Sequence, residues 1–278
     1  SCRRSGRTES TVPEFVEVEA YANTARPLIG GTITGIDLRD ERLLRRAEEG
    51  FDAESSHVYG VMGGAEIDDV NRIGKLLLLH LSGDHTVGLT FGLRGWLMLD
   101  GEIARADGSR RTRSANPEHI RLVIEVDGSR ELVLEDLLRL ATLEIDPDTS
   151  NLGPDILDLD KNGFRELLAG SKATIKGLLM NQKHIAGIGN LIADEILFQG
   201  KIDPRRTASD ITGDDLDDLW AGLRITRDRV LDKNGSHQGV LIQSGSREKG
   251  EHCPRCDVEI ARVKVGGRTT YFCPAHQT

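Results

Sequence analysis

The sequence predicts an α+β chain of several domains, with a leading helix and antiparallel sheets first, then helices, then a small metal-binding hairpin. Apolar residues alternate in the first half, the apolar period becomes helical near Asn151, and three cysteines and a histidine crowd the C-terminal end. We therefore divide the chain into an extension at 1–12, a first domain at 13–148, a second at 149–249 and a terminal hairpin at 250–278.

The first domain is predicted to begin with one helix at residues 14–28. Phe15, Val18, Ala22 and Ala25 recur there at helical spacing, and Gly30 follows the last turn. Short apolar runs after it predict strands, and an Asp-Gly pair predicts a hairpin turn between the last two. The predicted strands cover residues 32–38, 76–81, 87–93, 122–126 and 130–134.

The second domain is predicted to be helical, because its apolar residues recur every three to four positions. Four helices are expected: around 164–168, around 175–179, at 191–199 before Gly200, and from a capping box formed by Thr212 and Asp215. The terminal segment returns to strand patterning at Ala261–Val265 and Arg268–Phe272, with two glycines between.

Composition limits the classes of function only weakly. The 278 residues carry a net charge of −9 with a pI near 5.4, which disfavours a nucleic-acid partner, although a binding face can be locally basic. No apolar run approaches membrane-spanning length, and the N-terminal segment has no apolar core typical of a secretory signal. We expect a cytoplasmic monomer that does not contact membranes.

The C-terminal cysteines and histidine form the most specific motif. Cys253 and Cys256 make one short knuckle, Cys273 and His276 make the other, and a predicted hairpin lies between them. Three thiolates and one imidazole satisfy tetrahedral zinc with no open position. We therefore expect one structural Zn²⁺, which stabilises a hairpin too small to have its own core.

A glycine-rich turn, Ala186-Gly-Ile-Gly-Asn190, precedes the third helix. Gly187 and Gly189 would leave backbone N–H groups bare at a helix N-terminus, where an anion such as a DNA phosphate binds. The alternatives are an ordinary helix junction with Asn190 as N-cap, or a dinucleotide site. The last is disfavoured because the preceding segment is helical and a third glycine is missing.

Pro13 has two interpretations. It can be the first residue of the helix, a common place for proline. If instead it is the first residue of the mature chain, its nitrogen is a free secondary amine and a nucleophile. A valine codon at Val12 can serve as a start codon, in which case residues 1–12 would not belong to the protein.

Taken together, the PEFVEVE segment at Pro13, GIGNLIADEILF and the GRTTYFC hairpin resemble the formamidopyrimidine-DNA glycosylase/endonuclease VIII (Fpg/Nei) family of DNA base-excision enzymes. The resemblance covers nearly the whole chain from Pro13. It implies an N-terminal β-sandwich, a C-terminal helix–two-turn–helix domain with a zinc hairpin, and double-stranded DNA with damaged bases or abasic sites as partner.

The resemblance also implies roles for particular residues. Pro13 would attack C1′ of a flipped-out nucleotide and form an imine, and β,δ-elimination would then nick the strand. Glu14 would protonate the sugar oxygen, and Lys75 would lie on a strand beside a phosphate. Asn190 and Arg268 would hold phosphates around the lesion.

Leu93 falls where the family inserts a side chain into the emptied base stack. Each of these roles has a plainer alternative: Leu93 as a core residue of the 87–93 strand, Lys75 as a solvated strand end, and Arg268 as a surface charge. A catalytically silent DNA-lesion or abasic-site binding protein, with Pro13 blocked by the extension, is the alternative to the enzyme.

Two departures from the family pattern concern the substrate. The segment Glu135–Leu140 replaces an Asp-Pro-Arg-Arg-Phe stretch, and leucines cannot read a base edge by hydrogen bonds. Together with Gly153–Leu157, this favours the endonuclease VIII side and oxidised pyrimidines, ring-opened or hydantoin lesions and abasic sites. His276 replaces a cysteine usual in the family, but imidazole also binds zinc.

Overall fold

The computed structural model describes residues 12–44, 55–248 and 250–278. The predicted extension therefore lies outside the described residues except for Val12. Within these ranges, no helix is both long and apolar enough to cross a membrane.

The elements follow the predicted order of helix, sheets, helices and hairpin. The first part contains α1 (Phe15–Ala25), β1 (Ile33–Leu38), α2 (Ser55–Met62), β2 (Ile67–Ile73), β3 (Leu76–Leu81), β4 (His85–Thr90), β5 (Gly95–Leu99), β6 (Glu102–Ala104), β7 (Arg110–Thr112), β8 (Ile120–Val126), β9 (Arg130–Asp136) and β10 (Thr142–Ile145). The second contains α3 (Lys161–Ala169), α4 (Ile175–Met180), α5 (Asn190–Gln199), α6 (Gly213–Asp232), α7 (Val240–Gln243), β11 (Ala261–Val265) and β12 (Arg268–Phe272).

Two antiparallel sheets form the N-terminal sandwich. One has the strand order β1-β8-β9-β5-β6-β7 and the other β10-β4-β3-β2. The apolar face of each sheet is buried against the other, and most of α1 packs into the same core through Val18, Tyr21 and Ala22. The predicted fold class, a β-sandwich with a leading helix followed by helices and a hairpin, is confirmed.

The strand predicted at 87–93 is too long. β4 ends at Thr90, and Leu93 lies in the turn before β5, where Gly92 has a φ of +54°. A Cβ on Gly92 would lie 2.6 Å from the Cβ of Leu140, so only glycine allows this turn to approach the chain after β9. Apolar residues continue to alternate as far as Leu93, so the sequence pattern does not show that the strand ends at Thr90.

A second core fills the helical part, and it includes the first residues of α1. Phe15 and Val16 are buried among Ile156, Ile188 and the other apolar residues of α3 to α6. Residues 15–16 of α1 thus belong to the helical core and the rest of the helix to the sandwich. Helix α1 therefore packs against both the sandwich and the helical domain.

The capping box predicted at the start of α6 is wrong. Thr212 is the N-cap residue, but its side chain makes no capping hydrogen bond. The Asp215 carboxylate pairs instead with Arg206, at 2.7 Å, across the preceding loop. A capping box requires both side chains to accept or donate hydrogen bonds at the helix backbone. Here the Asp215 side chain binds Arg206 instead.

Buried charges join the β2–β3 hairpin to the helical part. The Arg72 guanidinium lies between Glu19 of α1, at 2.8 Å, and Asp155, at 2.5 Å, and its side chain is only 4% exposed. Asp155 also accepts from Gly74 N at 2.6 Å. These contacts hold the β2–β3 turn against the segment that precedes α3.

Removing this guanidinium should be costly. In Arg72→Ala two acidic groups lose their buried counter-charge, so we expect the free energy of unfolding to fall by about 3 kcal/mol. The measurement is the shift of the urea midpoint at an unchanged slope. The matched control is Arg39→Ala, which breaks a surface pair with Asp37 and should cost less than about 1 kcal/mol. Equal shifts in the two variants would show that the Arg72 contacts do not stabilise the domain junction.

Candidate active site

The carboxylate of Glu14 lies on the N-terminus of α5. It accepts hydrogen bonds from Gly189 N at 2.7 Å, Leu191 N at 2.8 Å and Ile192 N at 3.2 Å. These are N–H groups that a helix leaves without an internal partner, and the helix dipole favours a negative charge there. The glycine-rich turn therefore does bind an anion, but that anion is a carboxylate of the same chain.

This finding corrects the expectation that Gly187 and Gly189 offer their N–H groups to a DNA phosphate. Gly189 N donates to Glu14, and Gly187 N donates to the side chain of Gln182 at 2.9 Å. The sequence did not reveal this, because Glu14 and Gly189 are 175 positions apart. The requirement for glycine comes from crowding: a Cβ on Gly189 would collide with the carboxyl carbon of Glu14 and lie 2.6 Å from its Oε1.

Burial raises the pKa of Glu14 to about 7, although the Lys75 ammonium and the backbone N–H groups of Leu191 and Gly189 oppose the rise. Glu17, one helical turn further along, adds to it by its own negative charge. A carboxyl with a pKa near neutrality can hold a proton and deliver it at the pH of the cell. The position thus suits a general acid.

Lys75 lies in the tight turn between β2 and β3, not on a strand as predicted. Burial lowers its pKa, the Glu14 carboxylate opposes this, and the Arg268 guanidinium lowers the pKa further. Gly74, at a φ of +60°, lets the turn pack against Ala186 and Gly187. The same close packing brings the Lys75 ammonium into the field of Glu14.

Pro13 and Lys75 line one cavity of about 320 Å³. Its walls come from β4 with Thr90, from β10 with Glu144, from the segment after β10, and from Gln182 in the loop between α4 and α5. Pro13 precedes α1 by two positions, so it is not the first helical residue. The structure thus brings together three of the predicted catalytic residues, Pro13, Glu14 and Lys75.

Asn190 opens α5, immediately after the turn that holds Glu14. Its Oδ1 is buried and accepts no hydrogen bond from the described residues. Because the oxygen and nitrogen of an amide are assigned from their partners, either end of this side chain can face an outside group; neither end has a hydrogen-bond partner among residues 12–44, 55–248 and 250–278. It is therefore available to a group that approaches from the cleft.

Arg268 is exposed at the start of β12, and a buried network fixes the hairpin that carries it. Asp194 of α5 pairs with Lys176 at 2.5 Å and with Arg247 at 2.9 Å, and Lys176 also donates to Thr270 of β12 at 2.7 Å. Sequence reasoning missed this network. A signal was present in the acidic pair within the apolar LIADEILF segment, since buried charges need partners.

Leu93 is half-buried in the β4–β5 turn, so the strand interpretation of it is wrong. Beside this turn, three more leucines stand out: Leu137, Leu138 and Leu140 are 40–50% exposed. The Asp136 carboxylate fixes their loop by accepting from the N–H groups of Leu138, Leu140 and Ala141. Four leucines thus lie on two adjacent loops, next to Phe91 and Gly92 of the cavity wall.

The four zinc ligands predicted from sequence come together. The ligand atoms of Cys253, Cys256, Cys273 and His276 all lie within 4.8 Å of one another, with separations of 3.4 Å between two sulfurs and 3.7 Å from sulfur to Nδ1. Atoms bound at about 2.0–2.3 Å around a tetrahedral centre lie roughly 3.3–3.8 Å apart, so the set fits one structural zinc ion. The hairpin shares its core with Phe198 and Leu241 of the helical part.

Three family models match the chain. They are the formamidopyrimidine-DNA glycosylase N-terminal domain over residues 12–143, the H2TH domain of the same enzyme over 152–238, and the zinc finger found in FPG and IleRS over 250–275.

Curated relatives are similar over nearly the full length. The formamidopyrimidine-DNA glycosylase of Heliobacterium modesticaldum is 30% identical, with 96% of this chain and 100% of the relative aligned. That of Chloroflexus aurantiacus is 29% identical, with 96% and 98% aligned.

Solved structures agree. Lactococcus lactis Fpg in complex with DNA containing N7-benzyl-Fapy-dG is 25% identical, with 96% of this chain and 100% of that chain covered at a TM-score of 0.77. The same enzyme with DNA containing an oxidised pyrimidine matches with the same identity, coverage and TM-score.

Substitution of one glycine tests the Glu14 arrangement. Gly189→Ala places a methyl group where the Glu14 carboxyl lies, so the carboxylate must leave the α5 N-terminus. We expect a loss of about 3 kcal/mol of unfolding free energy, from the strain and the lost hydrogen bonds. Gly170→Ala is the control, because its added Cβ meets nothing within 4 Å. Urea midpoints measure both, and similar stability of the two variants would contradict the arrangement.

Proposed function

The chain belongs to the formamidopyrimidine-DNA glycosylase family, and we propose that it is a bifunctional DNA glycosylase/AP lyase of base-excision repair. It removes oxidised bases through an imine at Pro13 and nicks the strand by β,δ-elimination. The observation that carries this proposal is that Pro13 and Lys75 line one cavity, while the next residue, Glu14, is buried within the field of Lys75 and has a raised pKa.

The nucleophile is the nitrogen of Pro13 in a form of the protein that begins at this residue. A secondary amine forms an iminium with C1′, and the glycosidic bond breaks as the base leaves with a proton. Loss of protons from C2′ and C4′ then expels the 3′ and 5′ phosphates, and hydrolysis frees the amine. In the chain that carries Val12, the same nitrogen belongs to an amide and is not nucleophilic.

Glu14 delivers the proton that opens the sugar ring. The C1′–O4′ bond breaks as O4′ takes this proton, and the electrons left at nitrogen complete the iminium. With a pKa of about 7, Glu14 is protonated in a large fraction of molecules at neutral pH. Lys75 balances the carboxylate that remains, and its ammonium also faces the cleft where a phosphate would lie.

The partner is double-stranded DNA that contains a damaged base or an abasic site. Asn190 at the start of α5 and Arg268 at the start of β12 carry uncommitted donors that suit phosphate oxygens. Structures of the Lactococcus lactis relative in complex with Fapy-dG and with oxidised-pyrimidine DNA support this choice. Leu93 fills the space left by the extruded nucleotide, which its half-exposed place in a turn permits.

The substrates we propose are oxidised pyrimidines, ring-opened or hydantoin lesions and abasic sites. The exposed leucines at 137–140 present no hydrogen-bonding groups from their side chains, so they cannot recognise a particular base edge. The placement on the endonuclease VIII side of the family stays a prediction, as does the monomeric state. The zinc ion held by Cys253, Cys256, Cys273 and His276 is structural, since the set leaves no open position.

Borohydride trapping on an abasic-site duplex tests the chemistry. The chain that begins at Pro13 should form a covalent protein–DNA adduct, because borohydride reduces the iminium to a stable amine. The chain that retains residues 1–12 should form less than about one hundredth as much, since acylation removes the nucleophile. Electrophoresis quantifies the adduct, and peptide mass spectrometry locates it.

Two variants of the shorter chain serve as controls. Glu14→Gln keeps the shape but cannot supply the proton, so adduct should form at least about 100-fold more slowly. Arg165→Ala, at an exposed position of α3, should behave like the unchanged protein. If both chain lengths bind the duplex yet neither is trapped, the protein is a lesion-binding protein without the chemistry.

A further inference from the structure

A group of cations outside the catalytic cavity lies beside Leu93. Arg111 is exposed on β7, the edge strand of the six-stranded sheet, and Arg113 directly follows that strand. Both guanidinium groups lie over the ring of Trp96 in β5, at 5.8 Å for Arg111 and 4.6 Å for Arg113. Arg94 is exposed in the β4–β5 turn, one residue after Leu93. We call Arg94, Trp96, Arg111 and Arg113 the arginine–tryptophan surface.

The charges of this surface are only partly neutralised. Arg113 pairs with Glu135 at 3.1 Å, but neither Arg94 nor Arg111 has an ion-pair partner in the described part of the chain. Many other arginines of this acidic protein are paired, Arg72, Arg130 and Arg206 among them. Arg94 and Arg111 thus place two exposed, unpaired guanidinium groups next to Leu93, on a chain of net charge −9.

The surface is also held in a fixed position. Trp96 is half-buried and packs against apolar residues of two cores, so the guanidinium groups rest on an immobile ring. The Tyr21 hydroxyl of α1 donates to Gly95 O at 2.9 Å, which fixes the chain between Arg94 and Trp96. A rigid support lowers the entropy cost when these arginines bind an anion.

We propose that the arginine–tryptophan surface binds the phosphates of the DNA strand opposite the lesion. The inference rests on the proposed function, in which Lys75, Asn190 and Arg268 hold the damaged strand. Leu93 occupies the space between the strands, and the chain runs from it through Arg94 to Trp96. The next phosphates along this path belong to the facing strand. Sequence-independent contacts of this kind set affinity and register, not base choice.

Binding measurements with a stable abasic analogue test the proposal without requiring chemistry. Fluorescence anisotropy would follow the full chain on a tetrahydrofuran-containing oligonucleotide, both as a duplex and as the single lesion strand, from about 50 to 200 mM KCl. For Arg94→Ala/Arg111→Ala we expect duplex affinity to fall on the order of tenfold. The salt slope should become shallower by about 2, one for each lost contact. Affinity for the single strand should change less than about twofold, because only the duplex supplies the facing strand.

Matched variants separate this role from a general charge effect. Arg165→Ala/Arg224→Ala removes two exposed, unpaired arginines from α3 and α6, and should leave the duplex affinity within about twofold. Arg94→Lys/Arg111→Lys keeps the charges and should recover most of the affinity, since a phosphate also accepts an ammonium.

Equal losses on duplex and single strand would overturn the proposal, because the surface would then act on the lesion strand or on folding. Unchanged duplex binding would show that the surface is merely solvated. Failure of the proposed function looks different: the chain that begins at Pro13 would bind the abasic duplex but would not be trapped on it by borohydride, whatever the two arginine substitutions do to binding.

Discussion

The hydrogen bonds between the Glu14 carboxylate and the N-terminus of α5 are the contact on which the rest of the site depends. They join the second residue of the PEFVEVE segment to the glycine turn of the helical domain, 175 positions away. They place Pro13 at the cavity, set the field around Lys75 and leave Asn190 at the rim. Burial of the same carboxyl raises its pKa, so one contact serves both the assembly of the domains and the proton chemistry.

Helix α5 repeats this use of buried acids on its own side chains. Glu195 accepts from Val240 N and Leu241 N and so caps α7, while Asp194 holds Lys176 and the zinc hairpin. A single helix of ten residues thereby organises α1, α7 and β12 around itself. Because each buried charge is paired or hydrogen-bonded, the connections are specific in direction as well as favourable in energy.

Much of the fold could be predicted from the sequence, because many of its elements depend on residues that lie close together in the chain. The continuous apolar run at Leu76–Leu81 and the ligand spacing at Cys253 and His276 each lie within a short segment, and the structure retains both. The predictions that failed depended on distant partners. Leu93 continued an alternating run but ends in a turn set by Leu140, and Asp215 left its capping box for Arg206.

The site was predictable in its residues more than in its contacts. Pro13, Glu14 and Lys75 were chosen from motifs, yet nothing local indicated that Glu14 would bind the glycine turn or that Arg72 would bridge two acids. Such contacts depend on how the two domains pack, and periodicity carries no information on that. Strand β2 was missed for a local reason. Its sequence, IDDVNRI, has too few apolar residues to show the pattern of a strand that packs on a core.

A direct titration of Glu14 tests the central claim. The side-chain carboxyl ¹³C resonance, assigned by its loss in Glu14→Gln, would be followed by NMR from low to high pH. The account predicts a pKa of about 7, well above the ordinary value of 4.5. Because the folded pKa is raised, the carboxyl should weaken folding as it ionises, so stability from this group declines as the pH rises from 4.5 through 7. A titration near 4.5 would contradict the account, since Glu14 would then be fully ionised at neutral pH and unable to supply the proton.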